Sequence, residues 1–207
     1  MFLKIKANKN SISHRKLICG VGINDAWYQT QPIIEGRQVK KQSYRVWEHM
    51  ITRGYSERFK QKQPTYNDVT VCAEWLLFSN FDNWFDENYI DGYQLDKDIK
   101  IKGNKEYSPS ACLFVSQDVN KLLTSSKSTN GDYPVGVRPN KSGKKYESYV
   151  AIDGKPKYIG VYKTVDEASK AYMSAKNNEI LKKCKAYPEI KKYLLNHLHL
   201  DSNGNQI

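Results

Sequence analysis

The 207-residue chain has no apolar run long enough to cross a bilayer, for which a helix needs about 18 such residues. Its first residues, MFLKIKANKN, lack the unbroken apolar stretch of a secretory leader. These two absences predict a cytoplasmic chain with no membrane partner. None of the four cysteines (Cys19, Cys72, Cys112 and Cys184) forms a C-x-x-C pair. Such scattered cysteines read as ordinary buried thiols. A zinc site gathered from Cys19, Cys72 and Cys112 is the alternative, and a reducing compartment argues against disulfides. Histidine is scarce too: His14, His49, His197 and His199 are the full set, so no imidazole occurs between Met50 and Asn196.

Positive charge and aromatic side chains are what the chain has in quantity. Thirty-three Lys and Arg oppose 22 Asp and Glu, a net charge of +11. An excess of this size points to a polyanionic partner, with nucleic acid first among them. A hydrophobic fraction of 39%, with 15 Tyr, 6 Phe and 4 Trp, is enough for a packed core. Residues 124–132, TSSKSTNGD, are small and polar and read as a linker. The expected organisation is therefore a module over 1–123, a linker over 124–132, a second module over 133–187, and a C-terminal helix and tail over 188–207. From Tyr133 onward 14 Lys/Arg face 7 Asp/Glu (+7), against 19 and 15 (+4) before it. The smaller, more basic part is expected to hold more of a DNA-binding surface.

The pattern predicts an α+β fold. Tyr44, Trp47, Met50 and Ile51 recur at helical spacing within 43–56. Residues 69–89 carry Val71, Trp75, Phe78, Phe81 and Trp84–Phe85 on one broad face, a second helix in one or two pieces. Residues 93–101 read as extended and 116–123 as helical. In the second part, 133–140, 145–153 and 157–163 read as three strands, with turns at Gly143 and at DGKP, 153–156. Thr164 with Glu167 makes a capping box for a following helix. Pro188 interrupts it before a short helix over 189–198, and the last six residues read as frayed.

One helix behind a three-stranded sheet leaves the other sheet face open. Lys145 and Tyr149 are expected on that face, joined by Arg138 and Tyr158, with Lys141, Lys144 and Lys155 in the turns at its rim. A small sheet fits the major groove of a duplex, where arginine reads base edges and rim lysines hold phosphates. In the first part, Asp82, Asp86, Glu87, Asp91, Asp96 and Asp98 lie within 17 residues, with Lys97 the one cation among them. Carboxylates gathered in a basic chain point to a hard divalent metal or to an exposed, solvated loop.

Gly136-Val137-Arg138, Gly143-Lys144, the Ile159–Gly160 step and T-x-x-E-A-x-x-A-Y at 164–172 occur in order. With them, Val135 to Lys176 resembles an AP2-type DNA-binding domain. The resemblance implies double-stranded DNA as partner and places Arg138, Asn140, Lys145, Tyr149 and Tyr158 at DNA-facing positions. This copy has fewer arginines on the face, and Glu147 sits among its lysines, so a sequence preference does not carry over.

Residues 20–120 run through GVGIND, SYRVWEHMITRGYS, YQLDKDI and GNKEYSPSACLFVSQDVN. That order resembles phage-encoded HNH homing-endonuclease-like proteins, many of which carry an AP2-type domain behind it. The resemblance implies two strands and a helix gripping one metal ion, with Mg²⁺ as cofactor, and metal-dependent nicking or cleavage of DNA. Asp96 or Asp98 then falls at the metal-ligand position, Asn120 near the helical ligand position, Asn104 in the loop, and Lys97 or Asp98 at the place of the general base. Because the family's histidine is missing, three readings stand: Asp98 as base, Lys97 as base, or a scaffold kept only to hold DNA. A DNA-binding regulator without catalysis, and a phage protein that binds a host nuclease or defence factor, are the alternative functions.

Overall fold

Tyr44, Trp47, Met50 and Ile51 form one buried face of a helix in the computed structural model, which describes residues 2–124, 132–152 and 154–206. The fold is mixed α+β, as the residue pattern predicts. The chain divides into two compact units, Met1–Phe114 and Val115–Ile207.

The first unit opens with a short helix α1, Lys9–Ser13, whose N-cap Asn8 accepts from the Ser11 N–H at 2.7 Å. A hairpin follows, β1 (Ile33–Ile34) and β2 (Arg37–Gln38), turned by Glu35 and Gly36 at positive φ. Next come α2 (Gln42–Tyr55) and α3 (Glu57–Lys62), the latter capped by the Ser56 side chain. The expected helix over 69–89 breaks into three: β3 (Thr70–Val71), a 3₁₀ turn at Ala73–Leu76, and α4 (Phe78–Asn88). The reason lies far off in sequence. The Thr70 and Cys72 N–H groups bond the Lys105 and Tyr107 carbonyls, which draws 70–71 into a ladder. After α4 come β4 (Gln94–Asp96), β5 (Glu106–Tyr107) and β6 (Leu113–Val115). β3 pairs with β5 in parallel, and β4 pairs with β6. The extended stretch expected over 93–101 thus stops at Asp96, and the chain bends through 97–101. Trp47, Trp75, Phe78 and Phe81 are fully buried at the centre of this unit, and the Trp47 indole donates to the Trp75 carbonyl at 2.7 Å.

The second unit begins with α5 (Gln117–Leu123). It continues through β7 (Val137–Pro139), β8 (Tyr146–Ile152) and β9 (Lys155–Tyr162), an antiparallel sheet in the order β7-β8-β9. Helix α6 (Val165–Ala186) follows, with both halves of the Thr164–Glu167 capping box formed. A 3₁₀ turn at Pro188–Ile190 leads into α7 (Lys191–Leu195), shorter than the expected 189–198. Helix α6 packs on one face of the sheet, where Val137, Ser148, Val150 and Ala168 are buried. The tail is not frayed over its described residues. Asp201 accepts from the Asn203 and Asn205 N–H groups, and Asn177 ties His199 on both sides of its peptide.

Helix α5 belongs with this second unit, not with the module ending at 123. Lys183 holds the Asp118 carboxylate at 2.6 Å and the Tyr187 hydroxyl adds a bond at 3.1 Å. At the other end of α5 the Lys176 ammonium, buried within α6, donates to the Leu122 carbonyl, one of the acceptors a helix C-terminus leaves open. Residues 125–131 of the expected linker lie outside the described residues, as does Asp153 of the DGKP turn.

Burial raises the Asp118 pKa, but the Lys183 ammonium and the Tyr187 hydroxyl outweigh it and hold the carboxyl well below the usual range. A lowered folded pKa gives stability that is present above the unfolded value and lost as pH falls through the folded one. The wild type should therefore lose about 1–2 kcal/mol that Asp118→Asn lacks, as pH drops below about 4. Thermal unfolding of both proteins across pH 7 to 2 reads this directly; parallel pH curves would refute it.

Candidate nucleic-acid interface

Residues opposed across an antiparallel ladder share a face, and the registers define the open one here. Arg138 opposes Glu147, Glu147 opposes Val161, and Tyr149 opposes Tyr158. A register shift between Ser148 and Tyr149 keeps these side chains together on the side away from α6. The expected meeting of Arg138, Tyr149 and Tyr158 is present. The two tyrosine rings meet edge to face at 5.4 Å, and Tyr158 is 53% exposed.

Arg138 is held by two partners and a ring. Its Nε donates to Glu147 Oε2 at 3.1 Å and its Nη2 donates to the Tyr149 hydroxyl. The guanidinium carbon lies 4.1 Å from the centre of the Tyr149 ring. The Tyr149 hydroxyl in turn donates to Glu147 Oε2 at 2.9 Å. The hydrogen bonds to Tyr149 and Arg138 lower the Glu147 pKa, so the carboxylate is charged at neutral pH. The result is a flat, prepositioned arginine with an anion beside it.

The remaining residues expected at this surface divide. Lys141, Lys144 and Lys145 are exposed in the turn between β7 and β8. Asn140 builds that turn rather than facing outward: its Oδ1 accepts from the Lys145 N–H at 3.2 Å and the Ser142 hydroxyl at 3.0 Å. Lys155 opens β9 opposite Ile152, two residues beyond buried Val150. It therefore registers with the side of the sheet that carries Val150 and sits away from the open face.

The acidic segment of the first unit is arranged differently from the expected metal site. Asp82 and Asp86 are claimed by Lys41, which reaches them from the start of α2 and lies 3.2 Å from Asp86 Oδ1. The Tyr28 and Ser43 hydroxyls also donate to Asp82, each at 2.5 Å. Asp96 Oδ1 accepts from the backbone N–H groups of Asp98 and Ile99 at 2.7 and 2.8 Å, fixing the bend after β4. Burial pushes the Asp96 carboxyl pKa up. Both Asp98 oxygens lie 2.8 Å from the Lys97 ammonium, which also donates to the Asn104 carbonyl. The Asn104 amide closes the loop by donating to the Lys97 and Glu106 carbonyls. Asn120 lies on α5 in the second unit.

These residues do not fit a Mg²⁺ site. The two carboxylates are spent on backbone N–H groups and on an ammonium, and an ammonium beside them repels a cation. Among the described residues no three His, Cys, Asp or Glu side chains are gathered to hold a metal ion. The same holds for zinc: Cys19 is exposed, Cys72 half-buried, and Cys112 and Cys184 buried, all as free thiols. Burial pushes the Cys112 thiol up to about 12, far from a reactive thiolate.

Two groups at these sites escaped sequence reasoning. Glu147 pairs with Arg138 across the strands, a partnership that the strand register alone could have disclosed. Lys41 had no local signal, because its acidic partners lie 41 and 45 residues away. No helix among the described residues is long and apolar enough to cross a membrane. No protein-family model, curated protein or solved structure matches this chain.

Proposed function

We propose that the chain is a double-stranded DNA-binding protein whose second unit docks its open sheet face on the duplex. The observation that carries this reading is the prepositioned Arg138, flanked by Tyr149 and Tyr158 and rimmed by exposed Lys141, Lys144 and Lys145. The net charge of +11 supplies the long-range attraction. The resemblance to AP2-type domains supports the same face. The resemblance of residues 20–120 to HNH endonuclease-like proteins is read here as a scaffold without the metal chemistry, since its carboxylates serve the loop and Lys97.

Binding to a labelled random-sequence duplex across a salt series tests it. The expected result is affinity that falls as salt rises, with a log–log slope of about −3 to −6 from released counterions. Replacing Lys144 and Lys145 with glutamine should make that slope shallower by about one each. Incubation of supercoiled plasmid with Mg²⁺ or with chelator should leave it intact in both. Salt-insensitive or absent binding would refute the reading, and Mg²⁺-dependent nicking would restore the nuclease.

A further inference from the structure

A guanidinium has five N–H donors in one plane and cannot shed its charge. Left to itself on a DNA-facing sheet, an arginine bonds phosphate as readily as base, because phosphate carries the charge. Arg138 is not left to itself. Its Nε and one Nη2 hydrogen are committed to Glu147 and Tyr149, and its guanidinium carbon lies 4.1 Å from the centre of the Tyr149 ring. What remains is the end-on edge formed by Nη1 and the second Nη2 hydrogen. The Glu147 carboxylate lies on the neighbouring Nε side of the same guanidinium, 3.1 Å from Nε, close enough for its charge to be felt at the free edge.

From this geometry we infer that Glu147 is the selectivity residue of the sheet face. It steers the free edge of Arg138 toward uncharged base acceptors and away from phosphate. This rests on the DNA-binding reading above. Two forces act together. The carboxylate and the ring fix the direction of the free edge, so little side-chain freedom is lost when a paired acceptor meets it. The same carboxylate repels a phosphate that approaches the arginine, whereas the acceptor edge of a base carries no net charge and escapes most of that repulsion. Glu147 thus lowers affinity for DNA in general and raises the ratio of chosen to unchosen sequence. In a protein with so large a positive excess, an anion at the centre of the contact face has this use: it keeps charge from deciding where the protein sits.

The test uses the full-length protein and a random-sequence duplex pool. The wild type first enriches a preferred pool. Affinities for the enriched and the starting pool are then measured at several salt concentrations for wild type, Glu147→Gln, Glu147→Asp and Arg138→Lys. Glutamine keeps an oxygen for Arg138 and the Tyr149 hydroxyl but loses the charge. Glu147→Gln is expected to bind the starting pool about fivefold more tightly, with a steeper salt dependence. Its enriched-to-starting ratio should fall about tenfold. Glu147→Asp, which keeps the charge, should retain most of the wild-type ratio. Arg138→Lys should lose the ratio while keeping affinity for the starting pool, because lysine holds phosphate but offers no planar edge. Unfolding midpoints for all four proteins separate these effects from misfolding. A Glu147→Gln ratio equal to wild type overturns the inference while leaving DNA binding in place. Wild-type protein that binds neither pool overturns the DNA-binding reading itself.

Discussion

Asp82→Ala is expected to destabilise the first unit by about 3–5 kcal/mol, the range for breaking one side of a buried ion pair. Asp82 and Lys41 are 5% and 7% exposed at their side chains, and the Tyr28 and Ser43 hydroxyls complete the carboxylate's bonding. Removing Asp82 strands an ammonium and two hydroxyls in the interior. The half-exposed Asp86, 3.2 Å from Lys41, retains part of the attraction and places the loss toward the lower end. Lys41→Met with Asp82→Leu should recover part of the loss, since a pair of apolar side chains leaves no buried charge unmatched although the Tyr28 and Ser43 hydroxyls still lack their acceptor. Urea titrations of the two single variants and the double variant measure this; a double variant as unstable as Asp82→Ala would contradict it. The spectroscopic change should come from the tryptophans, all four of which lie in the first unit.

Gly136→Ala should cost about 3 kcal/mol and take DNA binding with it. Gly136 precedes β7 at a φ of +80°, a conformation that L side chains rarely adopt. An added Cβ would lie 2.6 Å from the Tyr149 carbonyl oxygen and closer still to the Tyr172 ring on α6. The ring has freedom to turn aside; the carbonyl does not, because it belongs to the central strand. The Gly136 carbonyl also accepts from the Tyr149 N–H at 2.8 Å, so any shift to relieve the clash loosens the residue whose hydroxyl and ring hold Arg138. Gly136→Ala combined with Tyr172→Ala should therefore remain unstable. A calorimetric midpoint restored to wild type in that double variant would show that the ring alone was the obstacle.

The features legible in the sequence are those written in local periods. The capping box at Thr164 and Glu167 formed because its two bonds span three residues. Alternation along Tyr146–Ile152 placed Ser148 and Val150 inward, and helical spacing placed Trp47 and Met50 in the core. Features set by distant partners were not legible. The acidic segment read as a metal site or a solvated loop, and nothing near Asp82 and Asp86 in sequence reveals Lys41 as their partner. Helix α5 read as the end of the first module because its ties to Lys176 and Lys183 cross a polar stretch that looks like a linker. Asn140 and Asp96 read as ligands to DNA or metal, and both spend their oxygens on backbone N–H groups two to five residues away. Short polar side chains compete for the local backbone before they reach a ligand, and a sequence does not say which they choose.

The β3–β5 ladder has a kinetic consequence. It joins Thr70 to Glu106, 36 positions further along the chain, whereas β8 and β9 already pair at Ile152 and Lys155, three positions apart. Closing the longer loop costs more chain entropy before any pairing offsets it. Local hairpins form early and non-local parallel pairings late. During synthesis the first unit leaves the ribosome first, yet its β5 and β6 strands come near its end. Its aromatic stripe of Trp75, Phe78 and Phe81 is thus complete in the nascent chain before the strand that pairs with β3 has been made. The slowest step in maturing this chain should belong to the half that is translated first.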